Sequence, residues 1–212
     1  MTILYSRFFR WGLFIVSIVL PFIAWAGYYN WQLGSLTIYQ IYPLLGITAF
    51  MIMSTHFYIS ALNTKINIPN DTLLSHTNYL VVLGLILLHP MLLYYQLLKD
   101  GLGLPPFSSI EFVGESLAVF IFLGSFGLIL FLFYELARQL KNKAVFSNNW
   151  LWVIISQYVA MLAIFIHAWG LGGITQSGWF KYVWIITAIG VLATIFYIIP
   201  NELAKQRLPS KS

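Results

Sequence analysis

Cysteine is absent from this 212-residue chain. That excludes disulfides, iron–sulfur clusters and thiolate metal ligands. Charge is nearly absent too: Asp, Glu, Lys and Arg make up 8% of the residues, against about 25% in an average soluble domain. No Glu-Glu doublet and no H-E-x-x-H motif occurs, so the zinc-protease and intramembrane-protease patterns are missing and hydrolysis is not expected. Neither an internal repeat nor a low-complexity linker is evident in the sequence. The net charge of +5 reflects topology and anionic headgroups; nothing suggests nucleic acid.

Apolar residues supply 60% of the chain. Six stretches are long enough to cross a bilayer, which takes about 20 residues each. They are Trp11–Tyr29, Ile41–Leu62, Thr72–Leu98, Phe112–Leu136, Asn149–Gly170 and Tyr182–Ile199. The expected fold is therefore an all-α integral membrane protein, a single domain over residues 1–212 built as a six-helix bundle. Arg7, Arg10, Lys65, Arg138, Lys141, Lys143, Lys205, Arg207 and Lys211 fall on one side, and Lys99 and Lys181 on the other. By the positive-inside rule both termini are cytoplasmic, in a multi-pass protein of the cell membrane, read here as a prokaryotic inner membrane. Trp31, Trp150, Trp169 and Trp179 lie near span ends, as in an aromatic belt. The first span has a second reading: Arg7 and Arg10 precede an apolar run ending in Ala24-Trp25-Ala26, which mimics a signal peptide with its cleavage site.

Four histidines, His56, His76, His89 and His167, all fall within spans. An ionisable side chain in hydrocarbon costs a few kcal/mol, so it usually faces the bundle interior and has a partner. If the third and fifth helices start at Asn70-Asp71-Thr72 and Ser147-Asn148-Asn149, His89 and His167 each lie 18 residues in, roughly 27 Å along parallel helices. Imidazoles at equal depth in a bundle suit axial coordination of a haem iron; bonds to neighbouring backbone or hydroxyls are the plainer reading. His76 lies 13 residues before His89. The position 13 residues before His167 is Ile154, which cannot bind iron. His56, on the second span, falls at a depth of roughly 10 Å against about 8 Å for His76. A His56–His76 pair holding a second haem therefore stays open beside two unligated interfacial histidines. Pro90 removes the bond to the Ile86 carbonyl; it either kinks the third span and aims His89, or is simply tolerated there.

Other polar residues have plain readings. Glu135 is set to pair with Arg138, three residues on. Asp71 reads as an N-cap, and Glu111 and Glu115 mark a solvated helix entrance. Ser125, Ser156, Gln157 and Thr187 serve either as hydrogen-bond partners of the histidines or as donors to their own helices.

The run Leu123-Gly124-Ser125-Phe126-Gly127-Leu128, then Trp150, Tyr158 and His167, resembles the fourth and fifth helices of the ferric reductase-like transmembrane domains. That family includes ferric reductases, NADPH oxidases and the haem-binding membrane subunit of the bacterial methionine-sulfoxide reductase system. Its fifth helix reads Trp-x-x-x-His-x-x-x-Tyr and then a second His; here Ile154 replaces the first histidine. His76 and His89 match the family's pair on the third helix. The resemblance covers Ile41 to Gly170. It implies a b-type haem protein passing electrons across the membrane as a reductase subunit, with His89 and His167 on the outer haem. The departure at Ile154 puts the inner haem in doubt. It also implies that any flavin reductase is a separate cytoplasmic protein, with quinol as the other donor and a redox partner outside. A proton-relaying transporter or channel, and a membrane scaffold without cofactor, are the competing classes.

Overall fold

The computed structural model describes residues 7–66 and 72–207. Every regular element among them is helical: α1 (Arg7–Tyr28), α2 (Ile38–Ile66), α3 (Thr72–Lys99), α4 (Phe107–Val113), α5 (Ala118–Gln139), α6 (Ala144–Asn148), α7 (Trp150–Leu171), α8 (Gly173–Gln176) and α9 (Phe180–Arg207). Six are long and apolar enough to span a membrane: α1, α2, α3, α5, α7 and α9. They correspond to the six stretches read from hydropathy. Their apolar side chains face outward as well as inward. On α5, Phe122, Phe126, Ile129 and Phe133 are exposed while Ile121 and Phe131 are buried. A helix apolar all round belongs in lipid.

One boundary differs from the sequence reading. The stretch beginning at Phe112 is not one helix. Gly114 adopts φ 92°, a region open chiefly to glycine. It ends α4, and a short 3-10 turn (Glu115–Leu117) leads into α5. The caps differ too. Asn149 does sit at the N-cap of α7, but it makes no cap bond, and its Nδ2 donates backwards to the Val145 carbonyl at 2.8 Å. Asn70 and Asp71 lie outside the described residues. Helix α3 runs on through Pro90 without a break.

The central post is α2. Buried residues make up 61% of its span, against 17% for α3 and α5. It packs on α1, α3, α7 and α9. Phe50 of α2 and Trp184 of α9, both nearly inaccessible, approach to 4.3 Å between ring centres, a contact worth about 0.5–1.5 kcal/mol beyond its area. Tyr58 Oη donates to the Thr187 carbonyl at 2.6 Å, and Tyr158 Oη shares a 2.7 Å hydrogen bond with Thr194. Ala24, Trp25 and Ala26 of α1 are buried in this core, and Trp25 Nε1 donates to the Gln40 carbonyl at 2.6 Å. Helix α5 pairs with α7, close enough that a Cβ on Gly127 would stand 2.7 Å from Ile164. Small residues that let helices approach are the usual adhesive where lipid supplies no hydrophobic drive.

Candidate functional site

The helix pairs α2–α3 and α5–α7 each hold one histidine in the same way. The His89 ring is bonded through Nδ1 to the Tyr42 carbonyl of α2 at 2.8 Å; the His167 ring is bonded through Nδ1 to the Phe120 carbonyl of α5 at 2.6 Å. A carbonyl only accepts, so Nδ1 carries the proton in both, and in the neutral ring Nε2 keeps its lone pair. Each imidazole also lies against a glycine one turn further along the same partner helix. A Cβ on Gly46 would stand 2.9 Å from His89 Nδ1, and one on Gly124 would stand 2.5 Å from His167 Nδ1.

These contacts are a structural repeat. Phe120, Gly124 and His167 each lie 78 residues after Tyr42, Gly46 and His89. The offset extends to Ile86 and Ile164, and to Leu93 and Leu171, which line the same space. At other lining positions it holds while the residue changes: Pro43 with Ile121, Pro90 with Ala168, Tyr94 with Gly172. The absence of internal repeats read from sequence is corrected to this extent. Both hairpins run in the same sense, so the relation is parallel, unlike the inverted repeats of many transporters.

Between the hairpins lies a cavity of about 430 Å³ into which both histidines face. Their ring centres are 6.5 Å apart and their planes stand at 88°. Equal depth, the feature read from the sequence, is thus accompanied by facing azimuth. Ser125 lines the cavity too, but its Oγ donates to the Ile121 carbonyl of its own helix at 3.1 Å. Ser156 does the same with Val153 at 2.8 Å. Tyr158 is buried against Phe57 and Thr194, and Ile154 sits in the core; neither lines the cavity.

A second cavity, of about 230 Å³, lies nearer the opposite face, towards the start of α1 and the end of α5. Five helices deliver polar side chains to it: Arg10, His56, Asn78, Glu135 with Arg138, and Gln157. Arg138 Nη2 is 2.9 Å from Glu135 Oε2, the pair expected from their spacing. Of the pair read from depth, only His56 is brought to this cavity. Thirteen residues at about 100° each turn His76 roughly 140° away from the face of His89, and it is exposed. Met53 lines both cavities and forms the wall between them.

Among the described residues no group of three or more His, Cys, Asp or Glu side chains could hold a bare metal ion. Two imidazoles fit an iron only if a macrocycle supplies the other donors. Comparison with protein families, with curated proteins and with solved structures finds no match to this chain.

Proposed function

We propose that this multi-pass membrane protein binds one b-type haem between His89 and His167 and passes electrons across the bilayer as a subunit of a reductase system. One observation carries the reading. With metal–nitrogen bonds of about 2.0–2.1 Å and ring centres roughly 1.2 Å behind the nitrogens, two imidazoles on opposite faces of one iron have centres about 6.4 Å apart. The observed 6.5 Å agrees. The Nδ1–carbonyl bonds support it, because a ligating histidine characteristically donates its other N–H to such an acceptor. Gly46 and Gly124 leave the rings room, and the cavity is of ligand-binding size.

Haem iron supplies reversible one-electron chemistry when bound. The chain's part is to hold two neutral imidazoles in fixed tautomers, to keep water from them with apolar walls, and to set their orientation. By the charge bias the face bearing Arg138 is cytoplasmic and the face bearing Asp100 is outer, which places the histidine pair nearer the outer leaflet. Electrons then enter on the Arg138 side, from a separate cytoplasmic flavin reductase or from quinol. They leave to an acceptor on the outer side. The second cavity is about half the volume of the first and brings a single histidine, so one haem per chain is assigned.

The test is the absorption spectrum of protein purified from haem-replete cells, before and after dithionite, with pyridine haemochrome stoichiometry. One haem per chain is expected, lost in both His89→Ala and His167→Ala. Absence of a Soret band in the unaltered protein, or its retention in both variants, overturns the assignment.

A further inference from the structure

The 430 Å³ cavity is itself amphipathic. Its Arg138-side end is walled by Ala49, Met53 and Leu128, and the Ser125 hydroxyl there is already spent on the Ile121 carbonyl. Its Asp100-side end carries the hydroxyls of Tyr28, Tyr39, Tyr94, Ser109 and Thr175. No Lys, Arg, Asp or Glu is found among the described residues that line it. Two of the hydroxyl donors are committed: Tyr39 Oη to Asp100 Oδ2 at 2.5 Å, and Thr175 Oγ1 to the carbonyls of Ala168 and Gly172 at 2.8 and 3.0 Å. Ser109 differs. It is 1% exposed, its Oγ has no hydrogen-bond partner among the described residues, and unlike the equally unpartnered Ser108 beside it, it lines the cavity. A buried hydroxyl without a partner costs on the order of 1–3 kcal/mol, so in a native structure it points to something that completes it.

This inference rests on the haem reading above. A b-type haem is an apolar disc with two carboxylates on one edge, and ionised carboxylates cannot be left in an apolar site without donors. Only the Asp100-side end offers them. Tyr94 lies five residues beyond His89, so this hydroxyl level begins roughly 8 Å along the helix from the ligating residue. We propose that the haem is bound with its carboxylate edge toward the Asp100 side, held there by neutral hydroxyls, and that the Ser109 Oγ–H donates to one carboxylate. The anchor is a hydrogen bond to a charged acceptor, without an arginine or lysine.

The experiment uses the full chain in detergent, loaded either with haem or with haem dimethyl ester, whose two carboxylates are capped. The readout is the rate at which each porphyrin is lost to a scavenger protein. In the unaltered chain the ester is expected to leave faster than haem. Ser109→Ala is expected to speed haem loss about ten-fold, as removal of a charge-assisted bond does, and to change loss of the ester less than two-fold. Ser109→Thr, which keeps the hydroxyl, is expected to hold haem like the unaltered chain. Equal effects of Ser109→Ala on haem and ester, or no effect on either, overturn the anchor while leaving the axial pair standing. Should Ser109→Ala fail to fold, Ser109→Cys, of similar size and a weaker donor, carries the same comparison. Uptake of neither porphyrin by the unaltered chain removes the haem reading and the anchor together.

Discussion

The His167 imidazole rests on the backbone of Gly124, so closely that a methyl group there would stand 2.5 Å from Nδ1 and 2.6 Å from Cε1. The ring cannot slide away without giving up its bond to the Phe120 carbonyl. Gly124→Ala is therefore expected to destabilise the protein by about 1–3 kcal/mol, as overpacking does, and to abolish haem uptake. Gly46→Ala, where the contact is 2.9 Å, should act in the same direction and less severely. Gly84 sits on α3, where an added methyl would meet nothing within 4 Å, so Gly84→Ala is the control, neutral or stabilising by up to about 1 kcal/mol. Thermal midpoints and haem content check all three. Normal haem content in Gly124→Ala would refute the claim that this glycine makes room for the ligand.

Much of this site was legible as a count along the chain, and the count's limits explain the rest. Depth is one coordinate. It placed His89 and His167 at one level, and their helices also turn them to one cavity. It placed His56 and His76 at one level too, and there only His56 lines a cavity, because azimuth is a second coordinate that a count does not carry. The repeat is faint in the sequence because it survives at few residues, and two of its matching pairs, Ile86 with Ile164 and Leu93 with Leu171, are ordinary in a chain this apolar. The α4 break was signalled only by Gly114, whose positive φ no hydropathy window registers. Ser109 carried no sequence signal, because an unspent hydroxyl becomes visible only when its neighbours are known.

His56 and His76 supply a contrast with His89 and His167. His76→Gln should leave both haem content and stability unchanged, since it lies on an exposed face away from both cavities. His56→Gln should likewise leave haem content unchanged, and should slow reduction from the Arg138 side if electrons enter through the cavity it lines. Haem stoichiometry and the rate of reduction in proteoliposomes check this. A fall in haem content in either variant would restore a second, inner haem site.

Met53 is 5% exposed and separates the two cavities. Met53→Ala should join them and cost about 2–5 kcal/mol, the transfer loss plus the cavity left behind. Met53→Leu conserves volume and should cost less than about 1.5 kcal/mol. Merging the cavities also brings the polar groups of the smaller one to the histidine chamber, so the haem of Met53→Ala should become accessible to small aqueous reductants. Thermal midpoints and the rate of dithionite reduction in sealed vesicles read the two effects separately. A cost at or below about 2 kcal/mol in Met53→Ala would mean that the wall collapses to close the gap and only the transfer loss remains.

The Asp100 carboxylate accepts from Tyr39 Oη at 2.5 Å and from Gln96 Nε2 at 2.7 Å, tying the start of α2 to the end of α3. These bonds, the one from Tyr39 above all, hold its pKa below the ordinary aspartate value. The folded state thus binds this proton less readily than the unfolded chain does. Its contribution to stability is present above the ordinary carboxylate value and is lost as pH falls through the depressed one. The group is open to water, which screens the effect. The measurement is the gap in thermal midpoint between the unaltered protein and Asp100→Asn, followed from about pH 7 down to about pH 3. The variant should melt lower at neutral pH, and the gap should close as the carboxylate protonates. Taking the difference at each pH cancels groups that titrate alike in both proteins. A gap that stays constant across this range would show that the Tyr39 bond stabilises equally well with a neutral acceptor, and that the charge of Asp100 contributes nothing to the tie.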